Sequence, residues 1–208
     1  MAEKLVVDGT SSLIVFTAAI WSKVYDALGD AFDSSAGGLW VEPTPDFWDV
    51  YVPKDLTPNR VLEAMRPLGI AVETHDVDLD AETAGRHERD PARGPYRIRF
   101  RARVEADEEN KSLSADDCDK QGIQGPTLPE RLLLGLAHFI ATEDQGDDLD
   151  ARHLDRDKVT LCAGSRGSDG DVPGVSWNRG NRKIYVYWYG PMDRDAFLRA
   201  RSAVSLKT

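Results

Sequence analysis

An α+β fold is predicted by three features of the sequence. Apolar residues recur at helical spacing in segments that open on cap residues. Tyr96 to Val104 alternates as a strand, and the C-terminal segment reads as a hairpin of two alternating strands. In chain order, Ser11 to Phe32 is expected to be a helix capped by Ser11 or Ser12, with Leu13, Ile20, Val24 and Leu28 near one face. Asp33 to Gly38 reads as a linker and Asp46 to Val52 as a strand ending at Pro53. Leu56 to Arg66 predicts a short helix: Thr57 caps it, Pro58 sits where its missing N–H costs nothing, and Pro67 with Gly69 stops it. Ile70 to Thr74 is a further strand candidate.

Asp76 to Pro95 is polar and reads as a loop. In Tyr96 to Val104, Tyr96, Ile98, Phe100, Ala102 and Val104 point one way and Arg97, Arg99, Arg101 and Arg103 the other. That stripe could bind an anion, but in a chain with 36 carboxylates a solvated or acid-paired face is expected. Ala106 to Gly125 reads as acidic and turn-rich. Thr127 to Thr142 gives the strongest helix: Thr127 and Glu130 form a capping box, and Leu132, Leu133, Leu136, Phe139 and Ile140 make the buried stripe. His138, without a partner one turn away, reads as a bystander. Glu143 to Asp150 lacks the spacing of a calcium loop and is expected to be solvated.

The chain has 208 residues, long enough for a substantial core. No apolar run approaches the roughly 18–20 residues that cross a bilayer. The opening MAEKLVVDG lacks the order of a signal peptide, so a cytoplasmic location is the default expectation, or carriage to a surface by a partner. The net charge of −10 argues against general nucleic-acid binding. Two cysteines, Cys118 and Cys162, make no disulfide framework and no metal spacing with the four histidines. No cofactor and no metal is expected. His75 with Asp76 and Asp78, and His153 with Asp155, are neighbours in sequence only; Cys162 reads as core packing.

The last 48 residues differ from the rest. Residues 161–208 hold eight Lys/Arg against four Asp, a balance of +4 within a total of −10, and contain neither Glu nor Gln. Val175 and Trp177 alternate with Gly174, Ser176 and Asn178; after a turn at Arg179 to Asn181, Ile184, Val186 and Trp188 alternate with Tyr185, Tyr187 and Tyr189. One face is therefore apolar. The other carries three of the chain's six tyrosines beside Gly, Ser and Asn. That composition suits a binding surface, and it equally suits a sheet face packed under a helix.

The pattern LCAGSR, S, DG, VP, V, W, then RK, V, WY, P, then LRARSAVS resembles the variable region of diversity-generating retroelement proteins, especially those of archaea and small-genome bacteria. In that family a reverse transcriptase copies a template repeat, randomises it at adenines and writes it into the 3′ end of the target gene. The product is displayed on a C-type lectin fold. Adenine-randomised Asn codons cannot yield Trp, Met, Lys, Glu, Gln or a stop. Gly174, Ser176, Asn178 and the three tyrosines are all reachable; Trp177, Lys183 and Trp188 are not, and Met192 does not fit.

The resemblance implies a C-type lectin-like ligand-binding domain over residues 45–208, preceded by an N-terminal helical extension over 1–44. It implies ligand-facing, variable positions at Gly167, Asp171, Gly174, Ser176, Asn178, Arg179, Gly180 and Asn181. The second half supplies Tyr185, Tyr187, Tyr189, Gly190, Asp193, Asp195, Ala196 and Phe197. Val172, Pro173, Val175, Trp177, Ile184, Val186, Trp188, Pro191 and Leu198 would be scaffold. Leu198 to Leu206 is expected to be a final strand against Tyr96 to Val104 or Phe47 to Val52. The function implied is recognition of a macromolecular ligand, a protein, without turnover. The alternatives are an enzyme of the formylglycine-generating kind working through Cys162, or a fixed structural interface in a phage or cell-surface assembly.

Overall fold

The computed structural model describes residues 14–33, 40–76 and 78–206. Leu13 and most of the linker Asp33 to Gly38 lie outside them, as do Ser11 and Ser12. The first helix runs Ala18–Leu28 rather than Ser11 to Phe32, and its cap is Thr17, whose hydroxyl accepts from the Ile20 N–H. Within them the chain is α+β, with two sheets gathered round one buried helix.

That helix is α5, Leu128–Ala141, and every residue from Leu128 to Ile140 is buried. A helix buried on every side sits at the centre of a core, and its polar Glu130, Arg131 and His138 are buried with it. Its start is fixed as the sequence implies. The Thr127 hydroxyl accepts from the Glu130 N–H, and the Glu130 carboxylate accepts from the Thr127 N–H at 2.7 Å. Such a cap stabilises by about 1 kcal/mol. Two helices flank α5: α1, Ala18–Leu28, and α2, Pro58–Met65. Thr57 caps α2 and Pro58 opens it, as expected. Trp21 and Val24 of α1 are wholly buried in the same core as Leu132 and Leu136, so the segment assigned to an N-terminal extension contributes to the central packing.

The first sheet orders β1 (Phe47–Val52), β3 (Tyr96–Arg101) and β8 (Ala203–Leu206), all antiparallel. Trp48, Val50, Ile98 and Phe100 face the core. On the outer face the arginine stripe is acid-paired. Arg99 is bidentate to Asp49 at 2.9 and 2.8 Å, and Arg101 and Arg103 both meet Glu109.

The second sheet orders β2 (Val72–Thr74), β6 (Lys183–Tyr189), β5 (Val172–Asn178), β4 (Val159–Leu161) and β7 (Leu198–Ala200). β2 runs parallel to β6 and β4 parallel to β7; the other pairs are antiparallel. Among the described residues the other α-helices are α3 (Leu79–Thr83), α4 (Ala115–Gln121) and α6 (Leu149–Arg152).

Four further sequence expectations are corrected. Asp76 to Pro95 is not a plain loop, since it holds α3, capped by the Asp78 carboxylate. Ala106 to Gly125 holds α4, held by a capping box of Ser114 and Asp117. The strand from Tyr96 ends at Arg101 rather than Val104, because the chain turns there and presents the Arg103 and Val104 carbonyls to the Arg201 guanidinium. The final strand is two strands: β7 joins the second sheet and β8 joins β3 in the first, with Arg201 and Ser202 at the corner. Asp155 locks that corner from inside. Its Oδ1 accepts from Arg201 and from the Ala106 N–H, each at 2.9 Å; its Oδ2 accepts from Arg131 of α5 and from the Thr160 hydroxyl.

Candidate ligand-binding surface

The hairpin forms in the register its alternation implies. Val175 opposes Val186, Trp177 opposes Ile184, and Ser176 opposes Tyr185. Val175, Trp177, Ile184 and Val186 are buried in the main core, where β5 meets α5. Trp177 stacks on His153 with ring centroids 3.7 Å apart, and its indole N–H donates to Asp150 at 2.7 Å. Trp188, on the same face nearer the edge, is half-buried and donates its indole N–H to Asp76.

The opposite face is divided. Toward the Tyr189 end it is covered by α4, whose Ala115 and Cys118 pack with Leu161, Val172, Ala200 and Tyr189 in a second small core. Toward the Tyr185 end no helix among the described residues packs on it. Tyr187 is exposed, Tyr185 half-buried, and the two rings meet edge to face at 5.1 Å. Tyr187 donates to Glu73 of β2 at 3.4 Å, and Lys183 pairs with the same carboxylate at 3.0 Å. The reading of a sheet face packed under a helix therefore applies to the Tyr189 half, and the Tyr187 side chain of the other half is exposed.

Of the positions expected to face a ligand, Arg179, Gly180, Asn181, Tyr187, Asp193, Asp195, Ala196 and Phe197 are exposed. Asp171, Ser176, Asn178, Tyr185, Tyr189 and Gly190 are half-buried. Two depart from the expectation. Gly174 is buried under the Tyr189 ring, and a Cβ there would sit 2.5 Å from Cε2 of that tyrosine and 2.8 Å from Val159. Gly167 is buried beneath the following loop, where a Cβ would meet Glu82, Asp169 and Trp188 at 3.0–3.2 Å. Neither presents a side chain outward.

The exposed positions form two groups. Arg179 to Asn181 lies in the hairpin turn, closed by the Asn178 side chain accepting from the Asn181 N–H at 2.9 Å. Gly190 to Phe197 forms the loop at the other end, tied to α4 by Arg194 on Asp117 at 2.6 and 2.8 Å and by the Asp116 N–H on the Pro191 carbonyl. Strands of this length separate the two ends by roughly 20 Å. The tyrosine face bridges them.

Both thiols are internal. Cys162 is wholly buried and burial drives its thiol pKa well up; that of Cys118 is pushed up to about 11 by burial and by Asp119 and Asp117. Among the described residues no three His, Cys, Asp or Glu side chains gather as a metal site. His87 shares a 2.7 Å hydrogen bond with Ser165, whose oxygen also accepts from the Leu128 N–H, so this serine is used in anchoring the start of α5. Comparison with known protein families, curated proteins and solved structures yields no match for this chain.

Burial lowers the pKa of His138 to about 4 and that of His153 to about 3; Arg131 adds to the effect on both. Both rings are held neutral in the fold. In the unfolded chain they take up protons near pH 6.5, so their contribution is fully present above that pH and is lost as pH falls toward 4. For His138 alone the loss is about 3 kcal/mol. Melting curves between pH 7 and 4 are expected to show it, and His138→Gln to flatten the slope. An unchanged slope in that variant would place the acid sensitivity elsewhere.

Proposed function

We propose that the chain is a binding protein without turnover, a C-type lectin-like scaffold of the diversity-generating retroelement kind that offers exchangeable side chains to a protein ligand. One observation carries this reading: the β5–β6 hairpin buries Val175, Trp177, Ile184 and Val186 on one face and turns Ser176, Asn178, Tyr185 and Tyr187 outward on the other. A scaffold for diversification needs this separation, because replacing an outward side chain leaves the packed face untouched. Exposed substitutions away from special features usually shift stability by about 0.5 kcal/mol or less. The return of β8 to β3 supports it further, since the hairpin is fastened to the framework on its C-terminal side as well.

The DNA around the gene tests the proposal. A near-copy of the 3′ end, differing at adenines and lying beside a reverse transcriptase gene, is expected. Sibling genes should differ at the codons for Ser176, Asn178, Tyr185 and Tyr187 and agree at those for Gly174, Val175, Trp177, Ile184 and Val186. Differences spread evenly over both faces would refute the reading. A tyrosine face identical in all siblings would favour a fixed interface.

A further inference from the structure

The C-terminal segment is basic in sum, yet the surface it builds is acidic. Six of its described cations are turned onto acids from earlier in the chain. Arg166 meets Asp119 at 3.1 Å, Arg179 meets Asp157 at 3.2 Å, and Lys183 meets Glu73 at 3.0 Å. Arg194 is bidentate on Asp117, Arg199 pairs with Glu108, and Arg201 is buried on Asp155. Arg182 stands apart on the hairpin turn, at the far end from Tyr189.

The four aspartates of the same segment are disposed differently. Asp169, Asp171, Asp193 and Asp195 make no ion pair with any of those cations, and they gather around the Tyr189 end of the aromatic face. Asp171 directly precedes Val172, which pairs with Tyr189. Asp169 accepts from the Asp171 N–H at 3.0 Å, and Asp193 accepts from the Gly190 N–H at 2.8 Å. Their mutual repulsion is felt: the carboxyl of Asp171 is raised above its ordinary range by partial burial and by Asp169 and Asp193. Beside them stand exposed apolar side chains. Phe197 lies 6.4 Å from Tyr189, ring to ring, and Met192 is 69% exposed.

We propose, resting on the binding-surface reading above, that the part of this face left open beside α4 receives a basic segment of a partner protein, whose Lys or Arg side chains lie over the exposed Tyr187 and Phe197 and end at Asp171, Asp193 and Asp195. An aromatic face attracts a cation through its quadrupole, and a rim of uncompensated carboxylates selects the same charge. An acidic partner, which the +4 of the segment alone would suggest, meets that rim with repulsion.

The test uses the full chain and two capped, labelled peptides, one alternating Arg with Leu and the other Glu with Leu, followed by fluorescence anisotropy at low and high salt. The basic peptide is expected to bind at least ~10-fold tighter than the acidic one and to weaken as salt screens the rim. The triple variant Asp171→Asn, Asp193→Asn, Asp195→Asn should weaken it by ~10-fold, with the Gly190 N–H still bonded through the new amide oxygen. Tyr187→Ala with Phe197→Ala should weaken it as much. Removing three exposed charges elsewhere, by Asp26→Asn, Glu63→Gln and Asp147→Asn, should not.

If the acidic peptide binds as well as the basic one and the aromatic variant abolishes both, the partner class is wrong while the binding surface stands. If the basic peptide binds but ignores the aromatic replacement, or responds equally to the control charges, attraction is diffuse and the assignment of this face is wrong. Failure of both peptides to bind also overturns the proposal.

Discussion

Asp155→Ala is expected to destabilise the fold by about 3–5 kcal/mol, the range seen when one member of a buried ion pair is removed and its partner is left behind. Here two cations would be stranded. Arg201 is wholly buried and Arg131 is 3% exposed, and between them they bring β7, β8 and α5 onto one carboxylate. Burial alone would raise the pKa of that carboxyl; Arg201 and Arg131 outweigh it and hold it below the ordinary range, so the pair persists in mild acid. The same carboxylate satisfies the Ala106 N–H and the Thr160 hydroxyl, which the substitution would also leave bare. Asp155 has φ +53°, a conformation that Asn tolerates and Ala does not. Asp155→Asn is therefore expected to recover part of the loss. Urea unfolding measures both; a cost under about 1 kcal/mol for the alanine variant would show that the corner does not depend on this charge.

Trp177→Ala is expected to cost about 3–5 kcal/mol, as for a buried aromatic. It is 3% exposed, stacks on His153 and donates to Asp150, so the truncation opens a cavity and leaves a carboxylate short of a donor. The double variant Tyr185→Ala, Tyr187→Ala should shift stability by no more than about 1 kcal/mol in all. Trp188→Ala should fall between, because Trp188 is half-buried. Thermal melts of the three make the comparison. Equal losses for Trp177→Ala and the tyrosine double variant would contradict a hairpin with one packed and one open face.

Local pattern made the longest elements readable. The capping box at Thr127, the proline opening α2 and the alternation of β5 and β6 are short-range signals with direct physical meaning. α4 was readable in part: Ser114 and Asp117 are a capping signal, but its sequence ADDCDKQ buries only Ala115 and Cys118 and has no periodic stripe. α3, with five residues, offers less still. The buried charges were not legible. Arg131, Asp155 and Arg201 lie far apart in sequence, and nothing local distinguishes them from the solvated charges around them. For Gly174 the parity of the strand gave the correct face, and only the ring of Tyr189 lying across it shows why that position is closed.

The pairing of β8 with β3 bears on how the chain acquires its structure. Arg97 is opposite Leu206, 109 residues further along the chain, and contacts that distant close slowly. Until the last strand arrives, β3 keeps a bare edge, the kind of edge on which chains aggregate. A sequence change that spoiled the hairpin would withhold that strand. Such a molecule would be sticky and protease-sensitive, because the edge of β3 would stay open.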